Sequence, residues 1–162
     1  MVNELFQKDI MLENKIVRIV PFNESYEDGL RKVIFDTEIT QYTGNHILTE
    51  ADLKEYTAGT ISSRKDGVRY PFIVIHKESG QVAGATSFGN LVFQSKRLEI
   101  GWTWYGKAYR GTGINKAAKF ELLNYAFESR GFNRVQLSVD TENIRSQKAV
   151  LKLGAKQEGV IM

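Results

Sequence analysis

Residues 98–115 read LEIGWTWYGKAYRGTGIN, and this stretch joins a predicted strand to a predicted helix. Over residues 98–105 large apolar side chains alternate with other residues, which is the two-residue period of a strand. After Asn115 the apolar residues recur at helical spacing up to Gly131, a residue type that commonly follows the end of a helix. We therefore expect a strand, a short turn, and a glycine-bearing loop that opens a helix.

The glycine-bearing loop suggests an anion-binding site, because such a loop presents backbone N–H groups and the positive end of a helix. Two common phosphate motifs do not fit. A Walker A loop needs Lys followed by Ser or Thr after its last glycine. The dinucleotide fingerprint needs a third small residue three positions after Gly113, where Lys116 stands. An isolated Gly-x-Gly is otherwise most often a turn that needs glycine for its backbone angles.

The whole loop resembles the acetyl-CoA loop of the GNAT acetyltransferase superfamily, Gln/Arg-x-x-Gly-x-Gly/Ala. It reads Arg110-Gly111-Thr112-Gly113-Ile114-Asn115. Asn115 departs from the last position, and Asn there resembles the branch that includes the ribosomal-protein N-terminal acetyltransferases. The resemblance covers the chain from about Ile16 to its end and is most specific between Arg97 and Gly154. It implies one acetyltransferase domain over residues 1–162, with acetyl-CoA as cofactor and coenzyme A as product.

The composition of the chain argues against several kinds of site and partner. The chain of 162 residues has no cysteine and two histidines, so we expect no disulfide, no thiolate nucleophile and no metal site. The net charge of +3 is mildly basic, and one anion pocket explains it without nucleic acid as a partner. No apolar run reaches the ~20 residues of a membrane span, and the N-terminus does not resemble a signal peptide. We expect a cytoplasmic protein with no membrane partner, and the sequence leaves a homodimer open.

The remaining elements follow the same patterns. Strands are predicted at residues 15–22, 68–76, 81–88 and 134–140, with a sixth beginning in 155–162. Helices are predicted from residue 23 or 25 to about 36, from a Thr49 cap to about 66, and over 143–153, while 38–47 is irregular with a turn at Gly44-Asn45. This order resembles the GNAT fold. It implies an α/β fold with a mixed, mostly antiparallel, splayed sheet of six or so strands flanked by four helices, without the closing C-terminal strand of relatives.

The resemblance also implies where the cofactor would bind. In GNAT folds two neighbouring parallel strands splay apart, and the pantetheine arm pairs with backbone groups of the first strand. Here those strands are residues 98–105 and 134–140. The contacts with the arm would come from Thr103, Trp104 and Tyr105, with Asn143 bonding the arm or a bound water. The backbone amides that would hold the pyrophosphate are those of Gly111, Thr112, Gly113, Ile114 and Asn115, and Arg110 would add charge.

Two residues are candidates for proton transfer. A carboxylate among large apolar neighbours can have its pKa raised toward the working range, and Glu99 matches the family's glutamate on this strand. The alternative is an ordinary strand glutamate paired with Arg97. For the acid, Asn143 and Ser146 resemble the N-x-x-S of this branch, so Ser146 would donate or relay a proton to the leaving thiolate. Both residues are also ordinary at the start of a helix.

The resemblance therefore implies an N-acetyltransferase that passes an acetyl group from acetyl-CoA to a primary amine by direct attack. The acceptor is a protein N-terminus or a small molecule, and candidates for its pocket are Phe88, Asn90 and Trp102. The alternative is an acetyl-CoA-binding regulatory protein without turnover. A nucleic-acid-binding module would bind with steep salt dependence, but no aromatic and basic strand motif supports it.

Overall fold

The sheet organises the fold. The protein is represented by a computed structural model that describes residues 2–43 and 46–161, with the backbone alone for 41–43. Across these residues six strands lie side by side in chain order: β1 (Leu12–Glu13), β2 (Val17–Pro21), β3 (Arg69–His76), β4 (Gln81–Val92), β5 (Arg97–Tyr105) and β6 (Arg134–Gln136). Neighbours from β1 to β5 are antiparallel, and β5 and β6 are parallel. The expected mixed, mostly antiparallel sheet is confirmed.

The helices cover both faces of this sheet. The described residues form five α-helices: α1 (Glu27–Arg31), α2 (Thr37–Thr43), α3 (Glu50–Lys65), α4 (Ile114–Asn124) and α5 (Ile144–Lys152). Four were expected, and α2 is the additional one, in the stretch predicted to be irregular. The turn expected at Gly44-Asn45 lies outside the described residues. No helix within the described ranges is both long enough and apolar enough to cross a bilayer, and a cytoplasmic location stays a prediction.

Local sequence explains where α3 and α4 begin. The Thr49 hydroxyl accepts a hydrogen bond from the Asp52 N–H at 3.1 Å, and the Asp52 carboxylate accepts one from the Thr49 N–H at 2.9 Å. This is the reciprocal capping box that the sequence predicts. By contrast, the N-cap residue of α4 is Gly113 in the left-handed conformation, and no side chain among the described residues caps this helix. The first helix end is closed by its own residues, whereas the second stays open.

The apolar residues form two clusters, one on each face of the sheet. Alternate residues of β3 belong to different clusters, because successive side chains of a strand point to opposite faces. Tyr70, Phe72 and Val74 pack with α4, whereas Ile73 and Ile75 pack with α1 and α3. Burial on both faces is the reason that β3 is apolar along almost its whole length.

Two predictions about the last third of the chain are wrong. The strand predicted over residues 134–140 ends at Gln136, because its pairing with β5 stops there and residues 137–140 have no neighbouring strand in the described structure. Residues 155–161 form no strand, so the sixth strand is the short β1 instead. The C-terminal segment is held near β6 by an ion pair between Arg134 and Glu158.

Candidate active site

A cleft opens where β5 and β6 separate. The two strands pair from Arg97–Arg134 to Glu99–Gln136, and beyond that pair residues 100–105 have no strand partner on this side in the described structure. A cavity of about 750 Å³ follows the gap, bounded by β5, residues 137–140, the glycine loop and α5. An unpaired strand edge can take an extended ligand as an added strand. The splay expected between these strands is therefore present.

The cleft brings together ten of the twelve candidate residues. They are Glu99, Thr103, Trp104, Tyr105, Arg110, Gly111, Gly113, Asn115, Asn143 and Ser146. The two others, Thr112 and Ile114, have side chains that contact the protein and do not line the cleft. The Thr112 hydroxyl donates to the Tyr109 carbonyl, and Ile114 is buried in the cluster beneath α4. Their backbone amides are still part of the loop.

The glycine loop is open toward the cleft. Gly111 and Gly113 have φ angles of 71° and 89°, which L-residues with side chains rarely adopt. A Cβ at either position would meet no atom of the described residues within 4 Å, so among these residues nothing fills the space above either glycine. The first-turn N–H groups of α4 have no acceptor within the helix, and the helix dipole makes this end positive. The loop is therefore suited to an anion.

Arg110 lies beside this loop but its guanidinium is already engaged. It donates to the Tyr105 carbonyl at 3.0 Å and to the carboxylates of Asp36 at 2.8 Å and Glu38 at 2.5 Å. Burial alone would raise the pKa of Asp36, but the Glu38 N–H and Arg110 donate hydrogen bonds to the carboxylate and hold its pKa below the usual value. In this structure Arg110 thus fastens the loop to the start of α2, and its contribution to phosphate binding stays a prediction.

Trp104 and Tyr105, two residues predicted to contact the cofactor, have their side chains on opposite faces of the sheet. The Trp104 indole N–H donates to the Tyr56 hydroxyl at 3.1 Å, and its ring is buried on the side of α1 and α3. Tyr105 packs on the opposite side, with its hydroxyl buried and without a hydrogen-bond partner in the described structure. Both side chains therefore pack in the core, which leaves the backbone of these two residues as the part that can meet a ligand.

Asn115 has a buried hydrogen-bond acceptor without a donor among the described residues. Its side-chain oxygen is buried in the described structure and accepts no hydrogen bond. A buried acceptor left unpaired costs about 1–3 kcal/mol. Since Asn115 lines the cleft, a ligand with an N–H or O–H group at this point would satisfy it.

Glu99 lies at the closed end of the cleft. Its carboxylate accepts a hydrogen bond from the Asn90 side-chain amide at 2.6 Å, so its partner here is Asn90 rather than Arg97. Asn90 and Trp102 both have positive φ angles, 46° and 53°, and such strained residues cluster at functional sites. The register of β4 and β5 shifts beside Trp102, which marks a bulge.

The bulge exposes one aromatic ring at the cleft. Trp102 is 41% exposed and packs against Gly89, where a Cβ would overlap its ring. The Arg69 guanidinium lies 5.4 Å from the centre of the Trp102 ring. Phe88, also expected in an acceptor pocket, is instead 1% exposed and belongs to the core, so that expectation is wrong.

The head of α5 closes the cleft on the other side. The Asn143 side chain accepts a hydrogen bond from the Ser146 N–H at 3.1 Å and caps the helix. Both residues also line the cleft. The capping interpretation is confirmed, and it places Ser146 on the cleft wall because the cap fixes the first turn of the helix.

Sequence reasoning missed Lys119. This α4 residue lines the cleft, is 4% exposed, and donates a hydrogen bond to the Thr103 hydroxyl at 2.9 Å. Burial lowers the pKa of its ammonium group to about 7. The signal that could have revealed it is its position three residues before Leu122, on the side of the helix that carries apolar residues.

A splayed sheet with an unpaired strand edge that leads to an open glycine loop defines this protein as an α/β protein with a cleft suited to an extended, anionic ligand. The chain belongs to the GNAT acetyltransferase family, whose domain model matches residues 17–156.

Individual relatives agree with this membership. The uncharacterized N-acetyltransferase p20 of Bacillus licheniformis is 28% identical over 127 residues, which are 78% of this chain and 71% of that protein. The Bacillus subtilis protein provisionally named ribosomal N-acetyltransferase YdaF is 35% identical over 80 residues, 49% of this chain and 43% of that protein. A GCN5-related N-acetyltransferase from Brucella melitensis has the same fold, with a TM-score of 0.85 at 24% identity over 94% of this chain and 70% of that one. The resemblance seen in the sequence is confirmed.

Proposed function

We propose that this protein is an N-acetyltransferase that transfers an acetyl group from acetyl-CoA to a primary amine. The observation that carries the proposal is the continuous path from the glycine loop along the unpaired edge of β5 to Glu99. Family membership supports acyl transfer as the reaction class. The proposal adds to this reaction class the identity of the acyl donor, acetyl-CoA, and of the acceptor, a primary amine.

The residues present suit this cofactor. The backbone of residues 100–105 offers alternating N–H and C=O groups to the amides of a pantetheine arm. The amides of residues 111–115 and the N-terminus of α4 offer hydrogen bonds and positive charge to a pyrophosphate. Asn115 offers an acceptor that lacks a donor. The volume of about 750 Å³ falls within the range of roughly 300–1,000 Å³ usual for small-molecule sites.

Acetyl-CoA supplies an activated carbonyl, and the chain supplies orientation and proton transfer. Glu99 accepts the proton of the acceptor ammonium, directly or through water, while Asn90 holds its carboxylate in place. Ser146, fixed by the Asn143 cap, donates or relays a hydrogen bond at the other wall of the cleft. The amine attacks directly, because the sequence has no cysteine and offers no evident Ser/His/Asp arrangement for an acyl-enzyme.

The acceptor we propose is a protein N-terminal amine. The name of the B. subtilis relative, a provisional ribosomal N-acetyltransferase, supports this choice over a small molecule. The exposed Trp102 ring lines the same cleft as Glu99 and offers an apolar surface to a peptide side chain.

Calorimetry with acetyl-CoA, followed by a coenzyme A release assay, tests the proposal. The acceptors are N-terminal peptides of ribosomal proteins, matched peptides blocked at the N-terminus, and simple amines. We expect saturable binding of acetyl-CoA, and turnover with free N-termini only. Binding without turnover on any acceptor would favour the acetyl-CoA-binding regulatory protein. An absence of binding would refute both functions.

A further inference from the structure

Lys119 is a buried cation whose charge is not balanced by a neighbouring carboxylate. Lysine is almost never fully buried unless it is paired. Its hydrogen-bond partner is the neutral Thr103 hydroxyl, which in turn lies 2.8 Å from the Thr86 hydroxyl. Among the described residues no Asp or Glu lies within ion-pair distance of its Nζ. An ammonium group has three donors, so Lys119 retains capacity for a ligand.

The position of this ammonium group is at the inner part of the cleft. Thr103 follows the bulge at Trp102, and its hydroxyl also lies 3.4 Å from the Gly101 carbonyl. Gly101 is two residues from Glu99, where β5 and β6 still pair. Two short contacts therefore connect the Lys119 Nζ to the closed end of the cleft, which is the end where Glu99 acts in the proposed function.

The other cations that line the cleft are placed differently. Arg110 is neutralised by Asp36 and Glu38, and Arg145 is 66% exposed and 3.7 Å from Glu38. The remaining lysines there are solvent-exposed: Lys116, Lys148 and Lys152. Among the described residues that line the cavity, Lys119 is the cation that is buried at its inner wall.

We propose that Lys119 contacts the thioester sulfur and protonates it as it leaves, an inference that rests on the proposed acetyl transfer. The amine nitrogen bonds to the carbonyl carbon, the C–S bond breaks, and its electron pair stays on sulfur. Glu99 takes the first proton from the ammonium group and releases it to solvent, and the nitrogen loses a second proton to water as the amide forms. Lys119 gives the sulfur a proton and recovers one from that water. The balance needs no further reactant.

The chemistry of the group supports this role. Burial brings the pKa of Lys119 to about 7, and an unperturbed thiol has a pKa of about 8.5. An acid whose pKa is close to the working pH gives up and regains its proton efficiently. A serine hydroxyl is a much weaker acid, so Ser146 can orient the sulfur, whereas Lys119 supplies the charge and the proton.

Binding of two ligands that differ in the sulfur tests the contact. Calorimetry at pH 8 compares coenzyme A with desulfo-coenzyme A, in which hydrogen replaces the thiol, on the wild type, Lys119→Met and Lys119→Gln. The thiolate absorbance of bound coenzyme A is titrated in parallel. An opposite charge within about 4–6 Å lowers a pKa by roughly 1–3 units. At pH 8 the free Lys119 side chain is mostly neutral, because its pKa is about 7, and a bound thiolate raises that pKa so that the two groups titrate as a pair. We therefore expect the thiol pKa to be at least about one unit lower on the wild type than on either variant, with a severalfold larger preference for coenzyme A.

Lys116→Met is the matched control, because Lys116 is an exposed lysine on the same helix. It should weaken both ligands by the same factor and leave the thiol pKa unchanged. Equal ligand preference and equal thiol pKa in the wild type and both Lys119 variants would overturn the inference and leave Lys119 as support for Thr103. A thiol pKa on the wild type no lower than that of free coenzyme A would do so without reference to any variant. If the wild type binds neither ligand, the proposed function itself fails.

Discussion

At the scale of single residues, Lys119 makes folding stability depend on pH. Its pKa is about 7 in the folded protein and about 10.4 in an unfolded chain. Between these values the unfolded state binds more protons, so stability rises as pH rises. Each pH unit in this window is worth about 1.4 kcal/mol. We expect the free energy of unfolding without ligand to increase by about 2 kcal/mol more in the wild type than in Lys119→Met between pH 7 and pH 9.

Urea denaturation at the two pH values measures this difference. The comparison with Lys119→Met removes the effect of every other titrating group, because those groups are common to both proteins. Parallel changes in the two proteins would show that the Lys119 ammonium is solvated.

Glu99 gives the second prediction at this scale. Glu99→Gln keeps the shape of the side chain and its reach to Asn90, but removes the basic carboxylate. We expect turnover to fall by about 10²–10⁴-fold, the usual contribution of a general base. The affinity for acetyl-CoA should change less than twofold, since the proposed contacts with the cofactor come from other residues.

Glu128→Gln is the matched control, because Glu128 is an exposed glutamate in the π-helical segment, Tyr125–Ser129, that continues α4. Its turnover should equal that of the wild type. If Glu99→Gln retains full turnover, Glu99 is the ordinary strand glutamate of the alternative interpretation.

At the scale of elements, the sequence predicts what local pattern determines. The two-residue period identifies β5, and a dense apolar run before a hairpin turn identifies β3 with β4 after it. The Thr49–Asp52 capping box identifies the start of α3. The length of β6 depends on its neighbour, because residues 137–140 lose their partner where β5 turns away. The residue at which a strand ends, and the strand that pairs with it, are set by tertiary structure. No local sequence pattern encodes them.

The candidate site also combines features that local sequence determines with features that depend on distant segments. The glycine loop is a local feature that the sequence shows, and the family resemblance built on it leads to ten residues that line the cleft. The partner of Glu99 is Asn90 on the neighbouring strand, and the burial of Lys119 depends on the sheet beneath α4. Both relations join segments that are distant in sequence, so the sequence pattern does not contain them.

The start of α4 supports a prediction about one element. Gly113→Ala places a Cβ at a φ of 89° and directs it into the open space of the loop. Forcing an L-residue into this region costs about 1–2 kcal/mol. We expect that loss of stability together with at least tenfold weaker binding of acetyl-CoA, because the Cβ intrudes where the pyrophosphate would lie.

Gly80→Ala separates the two effects. Gly80 also has a positive φ, 69°, and open space around it, but it belongs to the turn between β3 and β4, away from the cleft. It should lose similar stability, measured by urea denaturation, and bind acetyl-CoA like the wild type in calorimetry. Equal binding by both variants would place the pyrophosphate elsewhere.

At the scale of the whole molecule, the cleft divides a firmly packed part from a lightly packed one. Strands β2 to β5 lie between two apolar clusters. On the far side of the cleft, β6 pairs with β5 at three residues and α5 contains no buried residue. Regions with few buried apolar contacts open locally at low free energy. A ligand that bridges the two walls therefore stabilises the second part most.

Hydrogen exchange measured by mass spectrometry tests this distribution. Without ligand, amides of residues 137–153 should exchange well before those of β3 and β4. Acetyl-CoA at 100 times its Kd stabilises the bound state by about 2.7 kcal/mol, which corresponds to about a hundredfold slower exchange where opening releases the ligand. We expect that slowing at residues 100–105 and in α5, and little change in β2 and β3. Protection confined to β2 and β3 would mean that the thioester binds outside the cleft, because a ligand can slow only those openings that break its own contacts.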